Sequence, residues 1–172
     1  MESSVLKGKQ ILAVDDEPDV LEILKEELQD HGVDLDRAST FDEGMQKMSS
    51  LTYDLVILDI MGVQGFDLLE FATVKKIPAV MLTAHALSPE SLKKSIELGA
   101  RAFLPKDQLG KLAPFLVDVL TLSYQSAWKA ALTRLKGSFG RRFGREWTKT
   151  EQEFWEKFEK DLEVNEATII RS

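Results

Sequence analysis

LVILDIMG, residues 55–62, is the stretch on which the fold turns. The residues from Leu55 to Leu58 form an unbroken apolar run that stops at a single carboxylate, Asp59. A short apolar run closed by a polar residue fits a strand buried on both faces, as in parallel sheets covered by helices. A carboxylate at the C-terminal end of such a strand stands at the rim where open α/β sheets bind their ligands. One aspartate at a strand end is ordinary, so the rest of the chain decides. Two further stretches repeat the pattern: ILAVDDEP at residues 11–18 and FLPKD at residues 103–107.

Working outward, Gln10 to Val14 reads as a buried strand that delivers Asp15 and Asp16. Pro18-Asp19 opens a helix whose Val20, Leu21, Leu24 and Leu28 share one face, and His31-Gly32 stops it. Val33 to Ala38 is a weaker, alternating strand. Thr40 or Asp42 caps a helix carrying Met45 and Met48. The third strand is Asp54 to Leu58. A loop punctuated by Gly62 and Gly65 follows, then a helix through Phe66, Leu69 and Phe71. Pro78 introduces AVMLT, a fourth strand ending at Thr83. Ser88-Pro89-Glu90 starts the next helix and Leu98-Gly99 ends it. Arg101 to Leu104 is a fifth strand, ending at Pro105-Lys106, with another helix from near Gln108. This alternation calls for a doubly wound parallel sheet with right-handed crossovers and helices on both faces.

Composition narrows the class. The chain has 172 residues, 44% of them hydrophobic, which is enough for one domain core with a modest extension. It contains no cysteine, which excludes disulfides and thiolate metal sites. No apolar run approaches the roughly 18 residues that span a bilayer, and MESSVLKGKQ does not read as a signal peptide. A soluble, cytoplasmic protein without membrane contact is expected. Residues 1–122 hold 12 Lys/Arg against 21 Asp/Glu, whereas residues 123–149 hold 7 against 1. The break divides the chain into an N-terminal segment (1–9), a domain (10–122) and a helical extension (123–172).

In such a sheet the C-terminal strand ends meet at one edge, which gathers Asp15, Asp16, Asp59, Thr83 and Lys106 around one cleft. Clustered carboxylates repel and need shared protons or a cation between them. Oxygen ligands with room for water suit Mg²⁺. Lys106 offers a compact positive charge and Thr83 a hydroxyl donor, both suited to a phosphoryl group. Asp59 is then the nucleophile in a phosphoryl transfer. Taken singly, each residue has a plainer reading: Asp15-Asp16-Glu17 as a helix cap and first turn, Thr83 as a strand-end hydroxyl, Lys106 as a surface lysine.

With these residues in place, residues 10–122 resemble a response-regulator receiver domain of two-component signalling, of the CheY-like family. The acidic pair Asp15-Asp16 follows the first strand, Asp59 the third, Thr83 the fourth and Pro105-Lys106 the fifth. The resemblance implies a flavodoxin-like five-stranded sheet of order 2-1-3-4-5. It implies phosphoryl transfer to Asp59 from a sensor histidine kinase or histidine phosphotransfer protein. It further implies Mg²⁺ held by Asp16, Asp59 and the Met61 backbone carbonyl, with Asp15 acting through water. Thr83 and Phe103 would form the switch: Thr83 moves to the phosphoryl group and Phe103 turns inward to fill the space. Phe103 as a core aromatic is the simpler alternative. No enzyme activity is implied beyond Mg²⁺-dependent self-phosphorylation and self-dephosphorylation.

The loop after Asp59 departs from the family, reading Met61-Gly62-Val63-Gln64-Gly65 without the usual Met-Pro pair. Its glycines leave the loop flexible or let backbone come close to the phosphate. Met61 and His85 occupy positions that in the family influence loss of the phosphoryl group; apolar Met61 would hinder the attacking water. His85 also reads as a solvent-facing loop residue.

Beyond the domain, the last helix has no Pro or Gly between Pro114 and Gly137 and is expected to run on. Leu112, Leu116 and Val119 form one stripe, and Trp128, Leu132, Leu135 and Phe139 another. After a Gly/Arg-rich turn, capping-box patterns at Thr148 and Thr150 open an aromatic amphipathic helix. This extension would form a helical hairpin that packs on itself or on the domain, forms a homodimer or docks a partner. Its basic stretch offers RNA or DNA binding as an alternative function, although no recognition helix is evident and nucleic acid is not the expected partner. A hydrolase with an aspartyl-phosphate intermediate is a third reading, one that lacks a substrate-covering cap.

Overall fold

The computed structural model describes residues 2–84, 89–122 and 160. The strands are β1 (Gln10–Val14), β2 (Asp34–Ala38), β3 (Leu55–Asp59), β4 (Ala79–Thr83) and β5 (Ala102–Pro105). They form one parallel sheet of order β2-β1-β3-β4-β5. Every position of β3 and β4 is buried, which is why both read as unbroken apolar runs. Edge strand β2 keeps only Ala38 fully inside and carries two aspartates and an arginine along its exposed length.

The helices are α1 (Glu2–Leu6), α2 (Pro18–Leu28), α3 (Phe41–Ser50), α4 (Gly65–Val74), α5 (Pro89–Glu97) and α6 (Leu112–Thr121). α1, α2 and α6 pack together, and α3 packs on α4, so both faces of the sheet are covered. Proline opens α2, and its Val20, Leu21, Leu24 and Leu28 are buried as the periodicity predicts. Of the two candidate caps for α3, Thr40 is the one observed: its hydroxyl accepts from the Glu43 N–H at 3.1 Å. No helix among the described residues is long and apolar enough to cross a membrane.

Three local features differ from the sequence reading. First, the segment before β1, to which the sequence reading assigned no element, carries one. Glu2–Leu6 is helical, and Leu6 is completely buried. The Gly8 N–H donates to the Gly32 carbonyl at 2.8 Å, and the Asp34 N–H to the Lys9 carbonyl at 2.9 Å. Second, the chain after β5 forms a 3-10 segment, Lys106–Lys111, before α6 begins at Leu112. Pro114 accounts for the late start, because proline is tolerated in the first turn and not deeper. Third, the last helix does not run on to Gly137. It ends at Thr121, with Leu122 in extended conformation at φ −85 and ψ 157. The Thr121 hydroxyl donates back to the Val117 carbonyl at 2.7 Å. The remaining expectations for the extension, including its second helix, fall on residues outside the described ones.

A five-residue N-terminal helix survives only through its tertiary anchor, since isolated helices this short are unstable. Leu6→Ala should therefore cost about 2–5 kcal/mol, the range for deleting a fully buried leucine. Urea unfolding measures it; a loss below about 0.5 kcal/mol would place Leu6 in the class of surface positions.

Candidate functional site

The register of the sheet builds the site. Val14 of β1 lies beside Leu58 of β3, so Asp15 and Asp59 leave adjacent strands side by side. Asp59 pairs with Leu82 and Thr83 with Pro105, which sets Thr83 and Lys106 one and two strands further along the same edge. Neighbouring strands are about 4.8 Å apart, so Lys106 must reach across β4 to meet β3 and β1. Its long side chain does so. Lys106 Nζ lies 3.1 Å from Asp59 Oδ1, 2.9 Å from Asp15 Oδ2 and 2.8 Å from Glu17 Oε2.

Carboxylates outnumber this one ammonium. Asp15 and Asp59 are buried, and Asp16 is exposed at the mouth. One carboxylate oxygen from each of the three lies within 4.8 Å of the others. Burial pushes the Asp59 carboxyl up to about 6; the Asp15 charge adds to this, the Lys106 ammonium opposes it, and Asp16 raises it further. Burial likewise raises Asp15, against the pull of the Glu17 N–H and Lys106. Burial works to lower the Lys106 ammonium, yet its bonds to Glu17 and Asp15 and the Asp59 charge outweigh that and hold it above the usual lysine range.

Asp15 is held in place by backbone, its Oδ1 accepting from the Glu17 N–H at 2.9 Å. Beyond the 2.9 Å ionic contact with Lys106, its buried Oδ2 has no hydrogen-bond partner among the described residues. A buried anionic oxygen with spare lone pairs, in an all-oxygen cluster, fits a hard cation. The three carboxylates can thus hold a metal ion.

The loop from Asp59 to α4 closes over this cluster by backbone approach. Gly62 has φ +86, and a Cβ there would collide with the Asp16 carboxylate. A Cβ on Gly65 would collide with the Asp59 carbonyl oxygen. At Gly62 the backbone thus comes close to the Asp16 carboxylate, and at Gly65 to the Asp59 backbone carbonyl. Met61, between them and Asp59, is 64% exposed. Thr83 is buried, and among the described residues its Oγ1 reaches the neighbouring Ala84 carbonyl at 3.3 Å. That is long for a hydroxyl donor, which leaves the group ready to turn to a better acceptor.

Of the two readings of Phe103, the core aromatic is the one observed. It is 1% exposed and already turned in, because all four residues of β5 are covered. His85 lies outside the described residues. Glu17 is the residue the sequence reading passed over as part of a first turn. It stands at the N-cap of α2 but makes no side-chain cap bond; its carboxylate goes to Lys106 instead. The available signal was the residue type, since glutamate is not among the favoured N-caps.

Comparison with known proteins agrees with this arrangement. The family model for the response regulator receiver domain matches residues 11–113. The transcriptional regulatory protein CpxR homolog of Haemophilus influenzae is 35% identical over 100 residues, covering 56% of this chain and 43% of the relative. The alkaline phosphatase synthesis transcriptional regulatory protein PhoP of Bacillus subtilis is 33% identical over 105 residues, covering 58% and 42%. The chain thus spans less than half the length of these curated relatives. Among solved structures, a CheY-like receiver domain protein from Methanospirillum hungatei superposes with a TM-score of 0.56 at 28% identity. That match covers 64% of this chain and 94% of the other.

The raised Asp59 value has a consequence for stability. The folded state holds an extra proton between about pH 4, the ordinary carboxylate value, and about pH 6. Stability from this group is therefore greatest at low pH and is lost as pH rises through about 6. Asp59→Asn should be more stable than the native protein by about 1–3 kcal/mol at neutral pH without divalent ions. The gap should narrow towards pH 5, as urea unfolding at both pH values will test.

Proposed function

The chain belongs to the response regulator receiver domain family, and from that membership we propose that Asp59 is its phosphoacceptor in a two-component phosphorelay. The observation that carries the reading is the Lys106 ammonium 3.1 Å from Asp59 Oδ1, across a strand, beside two further aspartates. Receiver domains interact with histidine kinases or phosphotransfer proteins, and such a protein is the proposed donor here. An Asp59 carboxylate oxygen attacks the phosphorus, and the nitrogen–phosphorus bond breaks with its electron pair returning to the donor imidazole. A carboxyl raised to about 6 is still mainly ionised at neutral pH and more basic than an ordinary aspartate, which favours attack. Asp16, Asp59 and the Met61 carbonyl, with Asp15 acting through water, would hold Mg²⁺, whose charge would offset that of the transferring group.

Lys106 then pairs with a phosphoryl oxygen. Thr83, freed from its long bond to Ala84, donates to another. Because Phe103 is already inside, the movement of Thr83 changes the packing against this ring rather than drawing it in from solvent. The output is protein–protein contact through the surface these residues reshape. Beyond Mg²⁺-dependent self-phosphorylation and self-dephosphorylation, no enzyme activity is proposed. The family match ends at residue 113, so the nucleic-acid alternative, which rests on residues 123–172, draws no support from it.

Incubation with acetyl phosphate and Mg²⁺ should add one phosphoryl group by intact mass, and Asp59→Asn should take up none. Label on the Asp59→Asn variant, or no label on the native chain, would overturn the reading. Exposed Met61 shields the acyl phosphate from water, so Met61→Asn should shorten the lifetime of the label several-fold. Equal decay of the two proteins would remove Met61 from the account.

A further inference from the structure

Glu17 makes a contact with Lys106 that α2 does not need. At an N-cap a side chain normally accepts from the second or third N–H of its own helix. Glu17 leaves those groups and bonds Lys106, 89 residues away in sequence, at 2.8 Å. This is the shortest of the three Lys106 contacts. It is also the only one of them made by an exposed carboxylate, 58% against 0% and 6% for the side chains of Asp15 and Asp59. An exposed ion pair is weak and exchangeable, whereas the buried ones are not. Lys106 thus sits between two fixed anions within the cleft and one releasable anion at its rim.

We infer that Glu17 is a positioning residue that parks the Lys106 ammonium at the rim and surrenders it when a phosphoryl group arrives on Asp59. The inference rests on Asp59 being the phosphoacceptor. A phosphoryl group brings nearly two negative charges and three acceptor oxygens, a stronger partner for the ammonium than one solvated carboxylate. Glu17 therefore competes only in the unphosphorylated state. It also adds a negative charge on the path of an incoming phosphoanion. Both effects make it a brake on phosphorylation, set by a side chain that neither accepts the phosphoryl group nor belongs to the carboxylate cluster.

The test uses the full chain with acetyl phosphate and Mg²⁺. The Asp59 oxygen–phosphorus bond forms, the bond from phosphorus to the acetyl oxygen breaks, and acetate leaves. Glu17→Gln should label about two- to fivefold faster than the native protein, the factor expected for one exposed ion pair. A second readout is the Lys106 Nζ resonance by ¹⁵N NMR. It should shift between native and Glu17→Gln proteins in the free state, and the two should coincide once beryllofluoride, a phosphoryl mimic, is bound. Labelling at the native rate or slower would overturn the inference, as would a Lys106 difference that persists with beryllofluoride or is absent without it. Failure of the native chain to label would instead overturn the assignment of Asp59 as phosphoacceptor, so the two failures are distinct.

Discussion

A single ammonium, that of Lys106, faces three carboxylates within 3.1 Å at one edge of the sheet, with the Asp16 carboxylate close behind. Left to themselves, these anions would separate or take up protons. They are held together because parallel pairing of β1 with β3 fixes Asp15 next to Asp59, and both strands are locked by apolar contacts on both faces. The hydrophobic core thus stabilises an electrostatic arrangement that is unfavourable by itself. The excess of negative charge makes the edge receptive to a cation, and the lysine sets one fixed positive charge among the anions.

The backbone around the site is as constrained as its charges. Gly62 and Gly65 let the β3–α4 loop lie against Asp16 and against the Asp59 carbonyl, where any side chain would collide. Between them Gln64 adopts left-handed geometry, φ 53 and ψ 54, as the N-cap of α4. For a residue with a Cβ this costs about 1 kcal/mol. Such strain is commonly kept where a loop must hold one shape beside a reactive group. The loop leads directly into α4, whose Leu68, Leu69 and Ala72 are set in the core.

The opposite face of the sheet depends on less obvious chain. α6 is apolar on most sides, burying Leu112, Phe115, Leu116 and Val119, and part of its cover comes from α1 rather than from another crossover helix. Hydrogen bonds from Gly8 and to Lys9 tie that short helix to the turn before β2. The terminal segment is thereby part of the domain core, although it contributes nothing to the sheet.

The strands, their order in the chain and the identity of Asp15, Asp16, Asp59, Thr83 and Lys106 were legible from sequence alone. Apolar runs that stop at a polar residue are local signals, and a parallel α/β sheet brings all such stops to one edge. What sequence could not decide were distances set by folding. Whether Phe103 lies in or out depends on what covers an edge strand. Whether Leu6 anchors a helix depends on α6, more than a hundred residues later in the chain. Whether Glu17 caps its own helix or crosses to Lys106 depends on how far a lysine reaches over an intervening strand. These are matters of tertiary packing and long-range charge, for which the identity of neighbours in sequence carries no information.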